Sequence, residues 1–255
     1  MNVSKFLLQK ILLNWERPIY SPALFKFCTK YLDLWYGDNN FNRNTNGEYR
    51  LLRSLIPKTN VVFDVGANVG DYSGEVLKIK RSVSIHAFEP DIHAFAELQK
   101  LCVIANNIAL GDKIERRLLY RGDEKTTHNS FYNVHTKSIA PLEVSTATLD
   151  AYCRGHDVSH IDFLKIDVEG FEFLVLRGAE HMLSRGAIDY IQFEFSGATI
   201  ESRTFLKDFL ELFKKYGYDL YRVRATSVEP VVYRPDTERF TLTNYLAMKK
   251  GLSVP

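Results

Sequence analysis

Cysteine is scarce in this chain, with three residues, Cys28, Cys102 and Cys153, among 255. The number is odd and no two lie close together, so neither a disulfide framework nor a cysteine zinc site is expected. Free thiols fit a reducing compartment, and a cytoplasmic location is the expectation. An excess of one charge is also missing: 33 Lys and Arg face 31 Asp and Glu, a formal +2. That balance supplies no long-range pull towards nucleic acid, so a nucleic-acid partner is not expected. No apolar run approaches the roughly 18–20 residues that cross a bilayer. Internal repeats and low-complexity segments are likewise absent. What is present is a composition 45% hydrophobic and 25% charged. The length suits one α/β domain with a small N-terminal extension.

Phe6-Leu7-Leu8 and Ile11-Leu12-Leu13 follow a basic start, but Gln9 and Lys10 interrupt them. No small-residue cleavage site follows, so a secretory signal is not expected. Phe6, Leu7, Ile11, Leu13 and Trp15 share one helical face. The preferred reading packs that face against the main domain or a second subunit. The alternative lays it on a membrane surface beside a lipid-linked substrate. An Asn-rich stretch, 37–47, marks the best boundary. It divides an N-terminal helical extension (1–49) from a main domain (50–255).

From residue 61 strands and helices alternate: strand 61–65, helix 71–80, strand 83–88, helix 91–101, strand 103–109. This is the pattern of a parallel sheet covered on both faces. Residues 112–148 depart from it, with strand-like pieces at 114–120, 130–134 and 142–148. They read as an inserted antiparallel hairpin or flap. The alternation resumes with a short helix at 149–153, strand 162–166, helix 171–183, strand 188–195 and helix 204–216. Strands 218–224 and 242–249 close it.

Within this frame Val61 to Val65 runs into Asp64-x-Gly66-x-Asn68-x-Gly70, and the next strand ends at Glu89. A buried strand, a turn that backbone can bring close to a ligand, and an acid at the following strand's end make a nucleoside-binding layout. The acid suits a ribose, since a carboxylate accepts from two neighbouring hydroxyls. The dinucleotide fingerprint needs glycine where Asn68 and Asp71 stand. Asp71 also puts negative charge at a helix N-terminus, where a phosphate would otherwise sit. A cofactor without phosphates avoids both conflicts, and S-adenosylmethionine, a cationic sulfonium, is one. A second constellation, Phe163 to Gly170, places acids directly after a buried strand. Asp64, Glu89 and Asp167 fall at strand carboxyl ends and are expected to converge on one crevice, joined by Glu194. Glu169 reads equally as a helix-start acid.

The elements Asp64-Val-Gly-Ala-Asn-Val-Gly70, Phe88-Glu-Pro-Asp91, Asn107-Ile-Ala-Leu-Gly-Asp112, Thr148-Leu-Asp150, Lys165-Ile-Asp-Val-Glu-Gly170 and Leu176-Arg-Gly-Ala179 stand in the order found in the FkbM family. Over residues 50–250 the chain resembles these S-adenosylmethionine-dependent methyltransferases, which act mostly on hydroxyl oxygens. The resemblance implies a class I methyltransferase, Rossmann-like sheet of seven strands, the last antiparallel. It implies that Asp64, Gly66, Ala67, Asn68 and Gly70 surround the methionine part of the cofactor. Glu89 would hold the ribose, with Pro90 and Asp91 near the adenine. Ala109, Leu110 and Asp112 would lie by the adenine or the rim, and Lys165, Asp167 and Glu169 at the reacting end.

O-methyl transfer needs an aligned oxygen and removal of its proton. Asp167 is the first candidate base; its other reading is holding a loop or the cofactor's amino group. Lys165 joins it in the catalytic set. His128 and His135 in the flap are candidate bases or specificity contacts, against the plainer reading of solvated loop residues. A divalent metal on Asp167, Glu169 and Glu194 is a less favoured route to the same proton. Phe131, Tyr132, Tyr152 and Tyr190 are candidates for a sugar- or polyketide-binding face, against an ordinary core role. The expected acceptor is a small molecule, glycan or polyketide. The competing readings are a nicotinamide-dependent oxidoreductase and a non-catalytic scaffold that keeps a cofactor pocket.

Overall fold

The structure, a computed structural model, describes residues 21–122, 129–133 and 139–255. The apolar face at Phe6 to Trp15 and the candidate residues His128 and His135 lie outside the described residues. By its backbone packing the chain divides into two compact units, Met1–Asp38 and Asn39–Pro255.

The described part of the first unit is helix α1 (Pro22–Tyr36). It opens on Ser21, whose side chain accepts from the Leu24 N–H, with Pro22 in the first turn. It stops at Gly37, whose φ of 69° is the left-handed conformation that ends helices.

The second unit is built on a twisted sheet of eight strands. In chain order these are β1 (Val61–Val65), β2 (Ser84–Phe88), β3 (Ile104–Asn106), β7 (Ile161–Ile166), β8 (Ile188–Phe195), β9 (Tyr218–Val223), β10 (Val228–Pro230) and β11 (Thr243–Lys249). Across the sheet they stand as β10-β9-β11-β8-β7-β1-β2-β3. The stretch from β8 to β3 is parallel, whereas β11 runs antiparallel to both of its neighbours. The expected seven strands are therefore eight. The addition is β10, three residues long and paired only through β9. It ends in Pro230, which lacks a backbone donor and is tolerated at a sheet edge.

Side chains alternate between the two faces, and each face buries its own core. Phe63, Val65, Leu164, Ile166 and Phe193 face one cluster. It is closed by α5 (Leu149–Gly155), α6 (Glu172–Arg177), α7 (Glu180–Ser184) and α8 (Leu206–Lys215). Val62, Ile85, Ala87 and Phe163 face the other. It is closed by α2 (Glu48–Leu55), α3 (Asp71–Ile79) and α4 (Ile92–Leu98).

Two expected elements divide. The strand foreseen at 103–109 leaves the main sheet after Asn106, and β4 (Ala109–Leu110) pairs instead with the insert. There β5 (Arg116–Arg121) and β6 (Ile139–Ala147) form the antiparallel hairpin, making a small three-stranded sheet. Ser130 bridges back to Tyr120. The helix foreseen at 171–183 breaks into α6 and α7 at Gly178. A Cβ there would lie 1.9 Å from the Gly111 carbonyl oxygen, so the break sits where the helix meets another stretch of main chain.

Candidate active site

A cavity of about 470 Å³ opens at the carboxyl ends of β1, β2, β7 and β8. The strand order puts it where connections leave the parallel sheet, the usual ligand position in open α/β folds.

One side is built by backbone. After Val65 the chain turns through Gly66 at φ 81° and Asn68 at φ 51°. The N–H groups of Gly66 and Ala67 both donate to the Phe88 carbonyl at 3.0 Å, which locks the loop to the end of β2. Glu89 follows, buried at 6% exposure. Its Oε2 accepts from the Asn68 N–H at 2.9 Å and its Oε1 from the Asp91 N–H at 2.8 Å. Burial pushes its carboxyl up to about 7, against the opposing pull of those two N–H groups. The Asn107 amide donates to the carbonyls of Glu89 and Pro90. Gly66, Asn68, Glu89, Pro90, Ala109 and Leu110 all line this side, with Leu119 and Phe131 from the insert.

The other side is built by charge. Asp167, Glu169 and Glu194 line it together. Burial, then Asp167, pushes Glu169 up to about 7, with Lys165 opposing. Burial, then Asp167 and Glu169, raises Glu194 well above the ordinary range. The turn carrying these acids is tied down by Glu172, whose Oε1 accepts from the N–H groups of Val168 and Gly170. Glu172 is buried and burial pushes it up to about 7.

Behind this wall lies a buried polar network on the α2–α3 face of the sheet. Lys165 is 1% exposed, and its Nζ stands 3.1 Å from Asp167 Oδ2 and 3.9 Å from Glu48 Oε2. Burial pulls its pKa down, but Asp167, Glu48 and Glu194 outweigh that and the net shift is upward. The cation also sits 5.5 Å from the Tyr72 ring centroid. Tyr72 donates to Gln192, and Gln192 donates to Glu48 and to Asn244. Paired and hydrogen-bonded in this way, a buried ammonium is tolerable.

The sequence-derived candidates divide accordingly. Gly66, Asn68, Glu89, Pro90, Ala109, Leu110, Asp167, Glu169 and Glu194 line the cavity; Asp64, Ala67, Gly70, Asp91, Asp112 and Lys165 do not. Asp64 points to the buried face, where it accepts from Ser73 Oγ at 2.6 Å and is the register partner of Lys165. Asp91 is fully buried; it caps α4 through the His93 N–H and accepts from Asn129. Gly70 is needed for packing, since a Cβ there would come within 2.4 Å of Leu101. Of the four aromatic candidates only Phe131 lines the cavity. Tyr132 packs by Phe171, Tyr152 packs under Phe63 and Phe88, and Tyr190 donates to the Ser253 carbonyl.

Several lining residues carry no signal in the sequence. Asn39, Phe41, Arg43 and Asn46 come from the Asn-rich stretch that reads as a boundary loop, and Ser196, Phe240 and Leu242 from turns late in the chain. Nothing local marks them; the fold alone brings them together.

Asp167, Glu169 and Glu194 do not bring their ligand atoms within 4.8 Å of one another. Among the described residues only His160, Asp162 and Asp189 bring three ligand atoms within 4.8 Å of one another. They flank the opposite, amino ends of β7 and β8. There Asp162 Oδ2 already accepts from the N–H groups of Asn60 and Val61.

The fold can be set beside solved structures. The methyltransferase FkbM from Methylobacillus flagellatus KT is 16% identical with a TM-score of 0.45, over 74% of this chain and 43% of that one. The chain thus spans less than half the length of that protein. The precorrin-6y C5,15-methyltransferase from Geobacter metallireducens GS-15 is 12% identical with a TM-score of 0.44, over 79% of this chain and 87% of that one. The plantazolicin methyltransferase BpumL, solved in complex with SAH, is 10% identical with a TM-score of 0.46, over 90% and 91%. No curated protein matches the chain. The methyltransferase FkbM domain model matches residues 64–220, more than half of the chain and the whole run of elements from the β1 loop into β9, so the chain belongs to the FkbM methyltransferase family.

Proposed function

We propose that the protein transfers a methyl group from S-adenosylmethionine to a hydroxyl oxygen of a small molecule, glycan or polyketide. The observation that carries the donor is Glu89. Each of its oxygens takes one backbone N–H, so a lone pair on each is left for the neighbouring hydroxyls of a ribose. The donor set fits the rest of the cofactor too. Ala109, Leu110, Leu119 and Phe131 offer an apolar berth for an adenine, and the acids opposite suit a cation. The loop from Gly66 to Gly70, followed by Asp71 at the start of α3, is unsuited to a pyrophosphate, which disfavours a nicotinamide cofactor.

When bound, the cofactor supplies an electrophilic methyl on a sulfonium. The chain's part is to position the acceptor and take its proton. Asp167 is the proposed base: it lines the cavity, and its Oδ2 is held by Lys165 Nζ at 3.1 Å. Glu169, pushed up to about 7 by burial and then Asp167, and Glu194, raised well above the ordinary range by burial and then Asp167, are suited to share hydrogen bonds with a hydroxylated acceptor. Phe41, Arg43, Phe240 and Leu242 also line the cavity and are the proposed contacts for the acceptor. This is the composition expected for a polyol bearing an apolar face.

Calorimetric titration with S-adenosylmethionine and with NADH tests the donor. Saturable binding of the first and none of the second is expected, and the reverse would sink the proposal. A by-product assay for S-adenosylhomocysteine across glycan and polyketide acceptors then tests the transfer. Tight cofactor binding without turnover on any acceptor would favour the scaffold reading.

A further inference from the structure

Helix α1 leaves most of its apolar side chains exposed. Phe25, Phe27, Leu34 and Trp35 are 73%, 69%, 72% and 66% exposed, and Leu24, Tyr31 and Leu32 are exposed with them. Its one acid, Asp33, is buried. At about 100° per residue, Thr29, Asp33, Lys26 and Lys30 gather on an arc of roughly 100°. Everything from Ala23 through Phe27, Tyr31 and Trp35 to Tyr36 covers the remaining roughly 220°. An exposed apolar surface of that extent on a globular protein marks an interaction site.

Its chemistry selects among occupants. A helix that docks on another protein needs a stripe, and this arc is about twice as wide as the usual core-facing one. It carries Trp35, Tyr31 and Tyr36, the residues that settle at the boundary between headgroups and acyl chains. The exposed charges of the helix are Lys26 and Lys30, both cations, since its only acid, Asp33, is buried. The segment before the helix adds Lys5, Lys10 and Arg17 against Glu16. A wide apolar face edged by lysines is the make-up of a helix lying in the plane of an anionic bilayer. Fifteen residues at about 1.5 Å each are too short to cross one. Among the described residues no helix is long and apolar enough to span a membrane.

We infer that α1 binds the surface of an anionic lipid bilayer, with Phe25, Phe27, Tyr31, Leu34 and Trp35 in the acyl boundary and Lys26 and Lys30 among the headgroups. The site then works beside a membrane, which suits an acceptor that is itself lipid-linked.

The test uses the full chain with vesicles of phosphatidylcholine alone and of phosphatidylcholine mixed with phosphatidylglycerol. Co-flotation with the mixed vesicles is expected, falling as salt is raised, together with a blue shift of Trp35 emission in a Trp15→Phe background. The Phe25→Ser/Leu34→Ser double variant should lose flotation while its thermal transition and S-adenosylmethionine affinity stay unchanged. Lys26→Glu/Lys30→Glu should lower affinity for the mixed vesicles by about tenfold or more. Failure to float with either vesicle overturns the inference, as does flotation indifferent to both variants. A concentration-dependent dimer that ignores vesicles and is broken by Phe25→Ser/Leu34→Ser overturns it in favour of a second copy of the chain. The cofactor titration is read separately, so this inference and the methyl-transfer proposal fail independently.

Discussion

The two sides of the cavity are held by different physics. The Glu89 side is fixed by main chain: two N–H groups on the Phe88 carbonyl and one on each oxygen of Glu89. The Asp167 side is fixed by side-chain charge, a buried lysine shared between Asp167 and Glu48 and a crowd of acids whose pKa values burial has lifted. Apart from the Glu89 carboxylate, the groups that hold the first side are main chain and are kept under most substitutions, and the proposed function puts the methyl donor there. The charge on the second side is placed by side chains from distant parts of the chain, so a few substitutions are enough to change it, and the proposed function puts the acceptor there.

The largest effect expected is one that breaks both sides at once. A Cβ at Gly66 would stand 1.9 Å from the Asp167 carbonyl oxygen, at a φ of 81° that disfavours any side chain. Gly66→Ala should cost more than about 3 kcal/mol in urea unfolding and remove cofactor binding. A variant of native stability would show that the two sides do not meet there.

Asp167→Asn should separate the sides. Turnover is expected to fall by about 10²–10⁴ while the Kd for S-adenosylmethionine moves by less than about threefold. A large rise in Kd with turnover at saturation unchanged would place Asp167 on the donor side. Glu89→Ala is the reciprocal test. It should weaken the cofactor by roughly thirtyfold, about 2 kcal/mol, with kcat at saturation nearly kept. Calorimetry reads the first number and a by-product assay the second.

The smallest effect concerns charge alone. Glu172 has a folded pKa of about 7 against a usual 4.5, so the folded state holds its proton more tightly than the unfolded one. Stability should therefore fall as pH rises from about 4.5 to about 7, a drift that Glu89 and Glu169 share. Glu172→Gln should flatten part of it and gain about 1–2 kcal/mol at pH 8, seen as a higher Tm than wild type there but not at pH 5. An identical pH dependence in the two proteins would mean that Glu172 titrates normally.

What the sequence revealed follows the same division. The β1 loop and Glu89 could be read directly, because a strand, a turn and an acid within about thirty residues form a local pattern. Asp167, Glu169 and Glu194 could be read as a group because each follows or lies in a strand of apolar residues. Asp64 shares the motif yet faces the buried lysine, since its place in the pleat sends it to the opposite face from Phe63. Phe41 and Arg43, Ser196, and Phe240 and Leu242 could not be found, because only folding brings positions so far apart in the chain to one wall. The periodicity of 171–183 runs straight through Gly178, and nothing in it announces the Gly111 carbonyl that divides the helix. Nor does β10 stand out, with one apolar residue followed by Glu229 and Pro230.

The placement of β11 bears on where this protein can be cut. The matched span ends at residue 220, yet β11 lies between β8 and β9 and bonds to both. Glu48, a counter-charge of Lys165, lies before the span begins. A fragment trimmed to 64–220 would carry a slot one strand wide through its sheet and a lysine short of one partner. The recognisable portion is thus smaller than the portion able to fold, and expression boundaries should enclose Asn39 to Lys249.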